Sequence, residues 1–199
     1  MDLTTAARVA TLVVPGESAP SAFNTVIGQV ITAVSAAAER YLGRYAQTTS
    51  RTEYLTVQPG KRVYRLRAFP VTTLSSVYLD AEQAFGNDTA LTSEDYYNPT
   101  YANDGTFTLK FYPTVEDTAA PNAMKITYTG GMATTTANFV SGFPDIAHAI
   151  DLQCAHIYHT RNYAGTLSQS GDSGSVSIQT VDWLPEVKAT LDRYRVRAL

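Results

Sequence analysis

The sequence predicts an α+β chain: a small helical bundle built from the N- and C-terminal segments, with an antiparallel β domain inserted between them. Two patterns carry that reading. Apolar residues recur at three and four through Phe23, Ile27, Val30, Ile31, Val34, Ala38, Tyr41 and Leu42, and again through Leu184, Val187, Leu191, Tyr194 and Ala198, the period of one face of an α-helix. Between Thr48 and Thr129 the period falls toward two, with Val, Thr and Tyr enriched and turn residues at short intervals, as antiparallel strands require. The boundaries implied are residues 1–47 for the N-terminal helices, 48–132 for the β insertion and 133–199 for the C-terminal helices, the last interrupted by a flexible loop over 165–183.

In chain order, a short helix within Leu3–Val13 is ended by Pro15-Gly16, and Glu17 to Pro20 reads as a connector. A long amphipathic helix begins near Ser21 and stops at Gly43, where Ala33, Ala36 and Ala37 permit close helix approach. Strands are expected over Arg51–Val57, Val63–Leu66, Leu74–Leu79, around Tyr96-Tyr97, Thr106–Phe111 and Met124–Thr129. Pro59-Gly60, Phe85-Gly86-Asn87-Asp88, Asn103-Asp104-Gly105 and Ala120-Pro121-Asn122 separate them as turns. A Thr-rich loop follows Gly130-Gly131. Phe143-Pro144-Asp145 then opens a helix running to about Tyr163, with Pro suited to the first turn and Asp145 complementing the positive end of the dipole. Gly165 to Thr180 is rich in Ser and Gly and lacks an apolar face, before the final helix.

With 199 residues and 44% hydrophobic residues, the chain is long enough to bury a sizeable core. Its net charge of −3 gives no global pull toward nucleic acid or anionic membrane, so any DNA contact has to be local. No membrane span is expected, because Asn24, Gly28, Gln29, Thr32 and Ser35 interrupt the most apolar helical stretch. The N-terminus lacks the pattern of a signal peptide, and the single cysteine excludes an intramolecular disulfide, which together lead us to expect cytoplasmic folding. Tyrosine is enriched, with 13 Tyr against 7 Phe, which suits either strand packing or surfaces that are wet before assembly and buried afterwards.

Tests for catalytic chemistry come out negative. His148, His156 and His159 share one helix, but without a His-Glu-x-x-His pattern, and Asp151 is the one carboxylate within reach. Cys154 lies between Leu152 and Ile157, with His156 on another helix face, so a buried structural thiol is expected rather than a nucleophile. Gly171-Asp172-Ser173-Gly174 lacks the strand-turn-helix setting of a nucleophile elbow. No cofactor is expected and the chain reads as a non-enzyme. Positive charge clusters at Lys61, Arg62, Arg65 and Arg67, and at Arg193, Arg195 and Arg197. In the first cluster Arg65 and Arg67 share a strand face with Val63, opposite Tyr64 and Leu66, as on a solvated sheet face. The terminal arginines complement a helix C-terminus, and they suit docking to an acidic partner or contact with DNA lacking sequence readout.

Six segments, in order, carry a resemblance. Tyr64 to Val77, with Leu66, Pro70-Val71, Leu74 and Val77, resembles the Leu-x-x-x-Pro-Val-x-x-Val-x-x-Val pattern of tailed-phage head-tail connector (adaptor, or head completion) proteins, and Asp95-Tyr96-Tyr97 resembles the acidic turn and Tyr-containing strand that follow it. Ile126-Thr127-Tyr128-Thr129-Gly130-Gly131 is similar to that family's strand ending in Tyr-x-Ala/Gly-Gly, and Phe143 to Ile150 to its Val-Pro-x-x-Ile-x-x-Ala-Ile helix start. Tyr158-His159-Thr160-Arg161 resembles its Tyr-x-x-Arg, and Leu184 to Arg195 its last helix. The departures are Phe143 in place of the commoner Val, Thr129 before Gly130, and a longer Ser-Gly loop.

The resemblance implies a structural protein of the virion neck, made in the host cytoplasm: a homo-oligomeric ring, commonly of twelve subunits, that binds the portal protein, extends the DNA channel and offers a platform to a head-closure, stopper or tail-terminator protein. Portal contacts would then fall on Trp183, Leu184, Val187, Leu191, Arg193, Tyr194, Arg195 and Arg197. The alternation at Val176, Ile178 and Thr180 suits addition of a strand to a partner's sheet edge. A tail-side completion or head-closure role is the alternative, and a metal-dependent hydrolase built on the histidine helix the remote one.

Overall fold

The computed structural model describes residues 1–15, 21–101, 103–113, 119–161, 168–171, 174–177 and 182–196. They form five helices, two three-stranded antiparallel sheets and a two-stranded hairpin, so the chain is α+β, with helices at both ends and strands between. It divides into two compact units, one of Met1–Gly43 with Thr135–Val196 and one centred on Arg44–Thr134.

In the helical unit, α1 spans Ala6–Val13 and α2 Ser21–Leu42. α2 buries Phe23, Ile27, Ile31, Val34, Ala38 and Leu42, the stripe expected from a spacing of three and four. α3 (Thr136–Gly142) occupies what reads in the sequence as a Thr-rich loop. Its local cause is a cap: the Thr135 side chain accepts from the Asn138 N–H at 3.2 Å, and the new turn buries Phe139. α4 (Pro144–Thr160) is the centre of the unit, packing against α1, α2, α3 and α5 (Pro185–Tyr194). It buries residues on more than one face, including Ile146, Ile150, Asp151, Gln153 and Cys154.

A buried carboxylate needs partners. Asp151 has them in α1 and the residues before it, accepting from Arg8 Nε at 3.0 Å, from Arg8 Nη2 at 2.7 Å and from the Thr4 hydroxyl. The Leu3 N–H donates to buried Ser35 at 2.9 Å, so the N-terminal segment is pinned to both α2 and α4. Where the sequence suggests a flexible loop over 165–183, strands β7 (Ser168–Gly171) and β8 (Gly174–Ser177) pair as an antiparallel hairpin. The last helix is shorter than its apolar stripe suggests. Arg195 takes an extended conformation, and the Val196 N–H donates to the Leu42 carbonyl at 2.9 Å, which draws the chain off the helix axis before Ala198.

In the β unit, β1 (Thr49–Val57), β6 (Ala120–Gly130) and β3 (Val71–Leu79) form a sheet in the order β1-β6-β3. β2 (Val63–Arg65), β5 (Thr106–Leu109) and β4 (Tyr96–Tyr97) form a second in the order β2-β5-β4. Register shifts at Leu55/Val57, Val71/Thr73 and Leu74/Ser76 mark irregularities that bend and twist a sheet. The core gathers Val57, Tyr64, Leu66, Val71, Val77, Phe107, Leu109, Met124, Ile126 and Tyr128 from both sheets. The alternation read at Val63–Arg67 holds, with Tyr64 and Leu66 buried and Val63 and Arg67 exposed.

Tyr128 is the polar centre of this core. Its hydroxyl donates to Glu53 at 2.5 Å and accepts from the Ala68 N–H at 2.9 Å, while Glu53 also accepts from the Arg67 N–H at 3.2 Å. Burial, reinforced by the bond to Glu53, pushes the Tyr128 phenol far above its ordinary value. The unfolded chain ionises near pH 10 and the folded one later, so the Tyr128 contribution is complete below about pH 10 and is lost as pH rises beyond it. Tyr128→Phe is therefore expected to cost about 2 kcal/mol at neutral pH, because it strands the Ala68 N–H. The substitution should also flatten the alkaline fall in stability, and urea unfolding at pH 7 and pH 10.5 measures both effects.

Candidate interaction site

The candidate surface is built around the approach to α5. Gln153 lies inside α4 with 1% of its surface exposed, and a buried amide has to be satisfied. Its Oε1 accepts from the Leu184 N–H at 3.0 Å and its Nε2 donates to the Asp182 carbonyl at 3.3 Å, so one side chain clamps the strand of chain leading into α5. The far end is fixed separately. The Tyr194 hydroxyl donates to Asp145 Oδ2 at 2.8 Å, and Phe143 meets the Tyr194 ring edge-on. Asp145 thus serves its own helix start, accepting from the Ile146 N–H, and also anchors the last helix.

Beside the clamp lies a groove of about 720 Å³, lined by Ala33, Val34 and Ala37 of α2, by Ile157 of α4, and by Tyr41, Trp183 and Lys188. Small residues on α2 leave the space, and aromatic rings border it. Tyr41 and Trp183 lie 6.0 Å apart between centroids, and the Arg195 guanidinium sits 4.9 Å from the Tyr41 ring. The Tyr41 hydroxyl donates to Asp192 at 2.5 Å, and that bond holds the phenol above its ordinary value.

The residues expected to meet a partner divide into two sets. Val187 and Leu191 are each 0% exposed and belong to the core of the helical unit. They cannot also be contact residues, which corrects their assignment: an apolar stripe on a short amphipathic helix is consumed first by the helices it packs on. Arg193 and Arg195 are exposed, Trp183, Leu184 and Tyr194 are half-buried, and Arg197 lies outside the described residues. Val176 pairs with Gln169 within the β7–β8 hairpin, while Ile178 and Thr180 lie outside the described residues. Tyr41 reads in the sequence only as part of the apolar stripe of α2, and neither Gln153 nor Asp192 is picked out there. A glutamine at a core position of an otherwise apolar helix face was the available signal for Gln153.

The β unit carries a second charged surface. The Arg51 and Arg67 guanidiniums lie 3.9 and 5.0 Å from the Tyr45 ring, and Arg44 stacks 3.7 Å over Phe69 while donating to its carbonyl. Burial lowers the Arg44 pKa to about 10, which leaves it charged at neutral pH. Of the chemical candidates, His148 and His159 are exposed and His156 half-buried along α4. No group of three or more His, Cys, Asp or Glu suited to a metal occurs among the described residues. Cys154 is buried, and desolvation pushes its thiol up to about 12, which leaves it protonated and unreactive at neutral pH. No helix among the described residues is long and apolar enough to cross a membrane.

Comparison with known proteins gives a consistent result. A family model described as head completion protein matches residues 16–196. Among solved structures, a chain in the neck of an empty gene transfer agent particle, computed with C6 symmetry, superposes with a TM-score of 0.62 at 19% identity, covering 98% of this chain and 90% of that one. A chain in the neck of the native particle, computed with C12 symmetry, gives a TM-score of 0.55 at 21% identity, covering 88% and 85%. A chain from the virion of the native particle gives 0.60 at 19%, covering 98% and 90%. No curated protein matches the chain.

Proposed function

We infer that this chain, which belongs to the head completion protein family, is a structural subunit of the neck between head and tail of a virion, working by assembly and without turnover. The observation that carries this reading is the extent of the family match, which runs from residue 16 to residue 196 and so takes in the helical unit and the inserted β unit together. The fold shared with chains of particle necks supports it.

In the neck, copies of the chain form a ring on the portal protein, extend the DNA channel and present a platform to the next neck or tail protein. Docking on the portal would use the exposed and half-buried side of the α5 region, namely Trp183, Leu184, Arg193, Tyr194 and Arg195, together with Arg197 farther along the sequence, since Val187 and Leu191 are spent on the core. The aromatic and arginine content of that surface is the composition of residues that dominate binding energy at protein interfaces.

The mass of the purified chain, alone and mixed with a portal ring, tests this. A ring-sized assembly or capture by the portal is the expected result in light scattering or native mass spectrometry. A monomer that portals ignore would overturn the portal-bound ring and move the chain to the tail side of the neck.

A further inference from the structure

Charge in the β unit is sorted by sequence segment. Residues 44–67 contain six arginines and lysines (Arg44, Arg51, Lys61, Arg62, Arg65, Arg67) and one acid, Glu53. Residues 80–97 contain five acids (Asp80, Glu82, Asp88, Glu94, Asp95) and no lysine or arginine.

The topology converts this sorting into two opposite edges. In the order β1-β6-β3 the basic segment supplies one edge strand, β1, and in the order β2-β5-β4 it supplies another, β2. These two lie on the same side. The Tyr45 N–H donates to the Arg67 carbonyl at 2.9 Å, the Arg67 N–H reaches Glu53 of β1, and the Arg51 and Arg67 guanidiniums both approach Tyr45. The other edge strands, β3 and β4, are joined by the acidic segment. The Leu91 N–H donates to the Val77 carbonyl at 2.8 Å and Ala90 bridges Tyr78, which lays residues 90 and 91 along β3 before the chain turns at Asp95 into β4. Glu82, Asp88 and Glu94 of the acidic segment are exposed, with Lys110 among them donating to the Ser93 carbonyl at 3.1 Å, and Arg62 and Arg67 of the basic segment are exposed. Each edge also carries exposed apolar area, Val63 at 37% on β2 and Tyr97 at 61% on β4.

Two complementary surfaces on opposite edges of one subunit are the requirement for head-to-tail association, which closes into a ring when the rotation per subunit allows. We infer that the occupant of each edge is a second copy of this chain, the Lys61–Arg67 edge of one subunit seating against the Glu82–Asp95 edge of the next. This rests on the ring reading above and supplies its joint. Charge complementarity of this kind sets register and speeds encounter, and salt screens it.

The test uses two triple reversals of the full chain: Lys61→Glu with Arg62→Glu and Arg67→Glu, and Glu82→Lys with Asp88→Lys and Glu94→Lys. Circular dichroism establishes that each is folded, and native mass spectrometry reads the assembly. Wild-type chain should assemble at about 0.1 M salt and fall toward monomer near 1 M. Each reversal alone should associate at least tenfold more weakly, because both its edges then carry one sign. An equimolar mixture of the two should assemble again, since each variant's edges complement those of the other. Assembly that survives either reversal, or a mixture of folded variants that fails to recover, overturns the inference. A wild-type chain that stays monomeric overturns it as well. Capture of several copies on a portal ring would then leave the ring reading standing, and absence of capture would remove both.

Discussion

Gly130→Ala is expected to destabilise the β unit by about 3 kcal/mol or more, at the upper end of what overpacking costs. Gly130 closes β6 where the chain passes Ala68 to Pro70. A Cβ built there overlaps the Ala68 carbonyl oxygen, lies 3.0 Å from the Ala68 carbonyl carbon and 3.1 Å from the Pro70 carbonyl oxygen. These are backbone atoms, and they cannot swing aside as a side chain would. Ala68 is also held from the other direction by the Tyr128 hydroxyl on its N–H. Relief of the overlap therefore requires the strand end and the Ala68 segment to separate, which breaks the Tyr128 bond. Gly131 meets a related constraint, with a φ of +139° and a Cβ position 2.5 Å from the Gln47 carbonyl. Thermal unfolding of Gly130→Ala beside wild type measures the effect, and an unchanged melting temperature would refute the account.

Arg8→Ala should cost the helical unit about 3 kcal/mol, although Arg8 itself is 37% exposed. The loss arises at the partner. Asp151 is 3% exposed and would be left with Thr4 as its remaining described donor, and breaking a buried pair from one side costs more than the pair contributes. The diagnostic is the double variant. Arg8→Ala combined with Asp151→Leu removes the buried charge and fills the site, so it should recover at least half of the loss. Chemical denaturation of wild type, the single variant and the double variant gives the comparison. A double variant less stable than Arg8→Ala would show that the pair is needed for reasons other than its own neutralisation.

The two units differ in how far their organisation could be read in advance. α2 was legible from end to end, because its core residues sit on one stripe and a helix repeats its environment every three or four residues. All six strands of the two sheets lie over period-two segments, with ends shifted by a few residues, although β6 takes in Ala120-Pro121-Asn122, which reads in the sequence as a turn. α3 was missed because Thr134, Thr135 and Thr136 look like a loop until Phe139 has a core to enter. The β7–β8 hairpin was missed because Ser and Gly give neither period. The partner-facing part of the last helix was misjudged at Val187 and Leu191 for a related reason. Apolar spacing states that a face is buried and does not state against what.

By itself the sequence determined much of the local order of the chain: the long helices, the strands of the two sheets, and the sorting of positive charge into residues 44–67 and negative charge into residues 80–97. Those are properties of neighbours along the chain, fixed by side-chain period and by the conformational limits of Gly and Pro. The tertiary structure alone decided which distant groups meet. Arg8 reaches Asp151 across 143 positions, Tyr128 reaches Ala68 across 60, and Gln153 clamps Leu184 across 31. A buried carboxylate, phenol or amide is satisfied by whichever partner the packing delivers, and no local pattern encodes that partner. For the same reason the charge sorting acquires a direction in space only through the strand orders β1-β6-β3 and β2-β5-β4, which set the two kinds of charge on opposite edges.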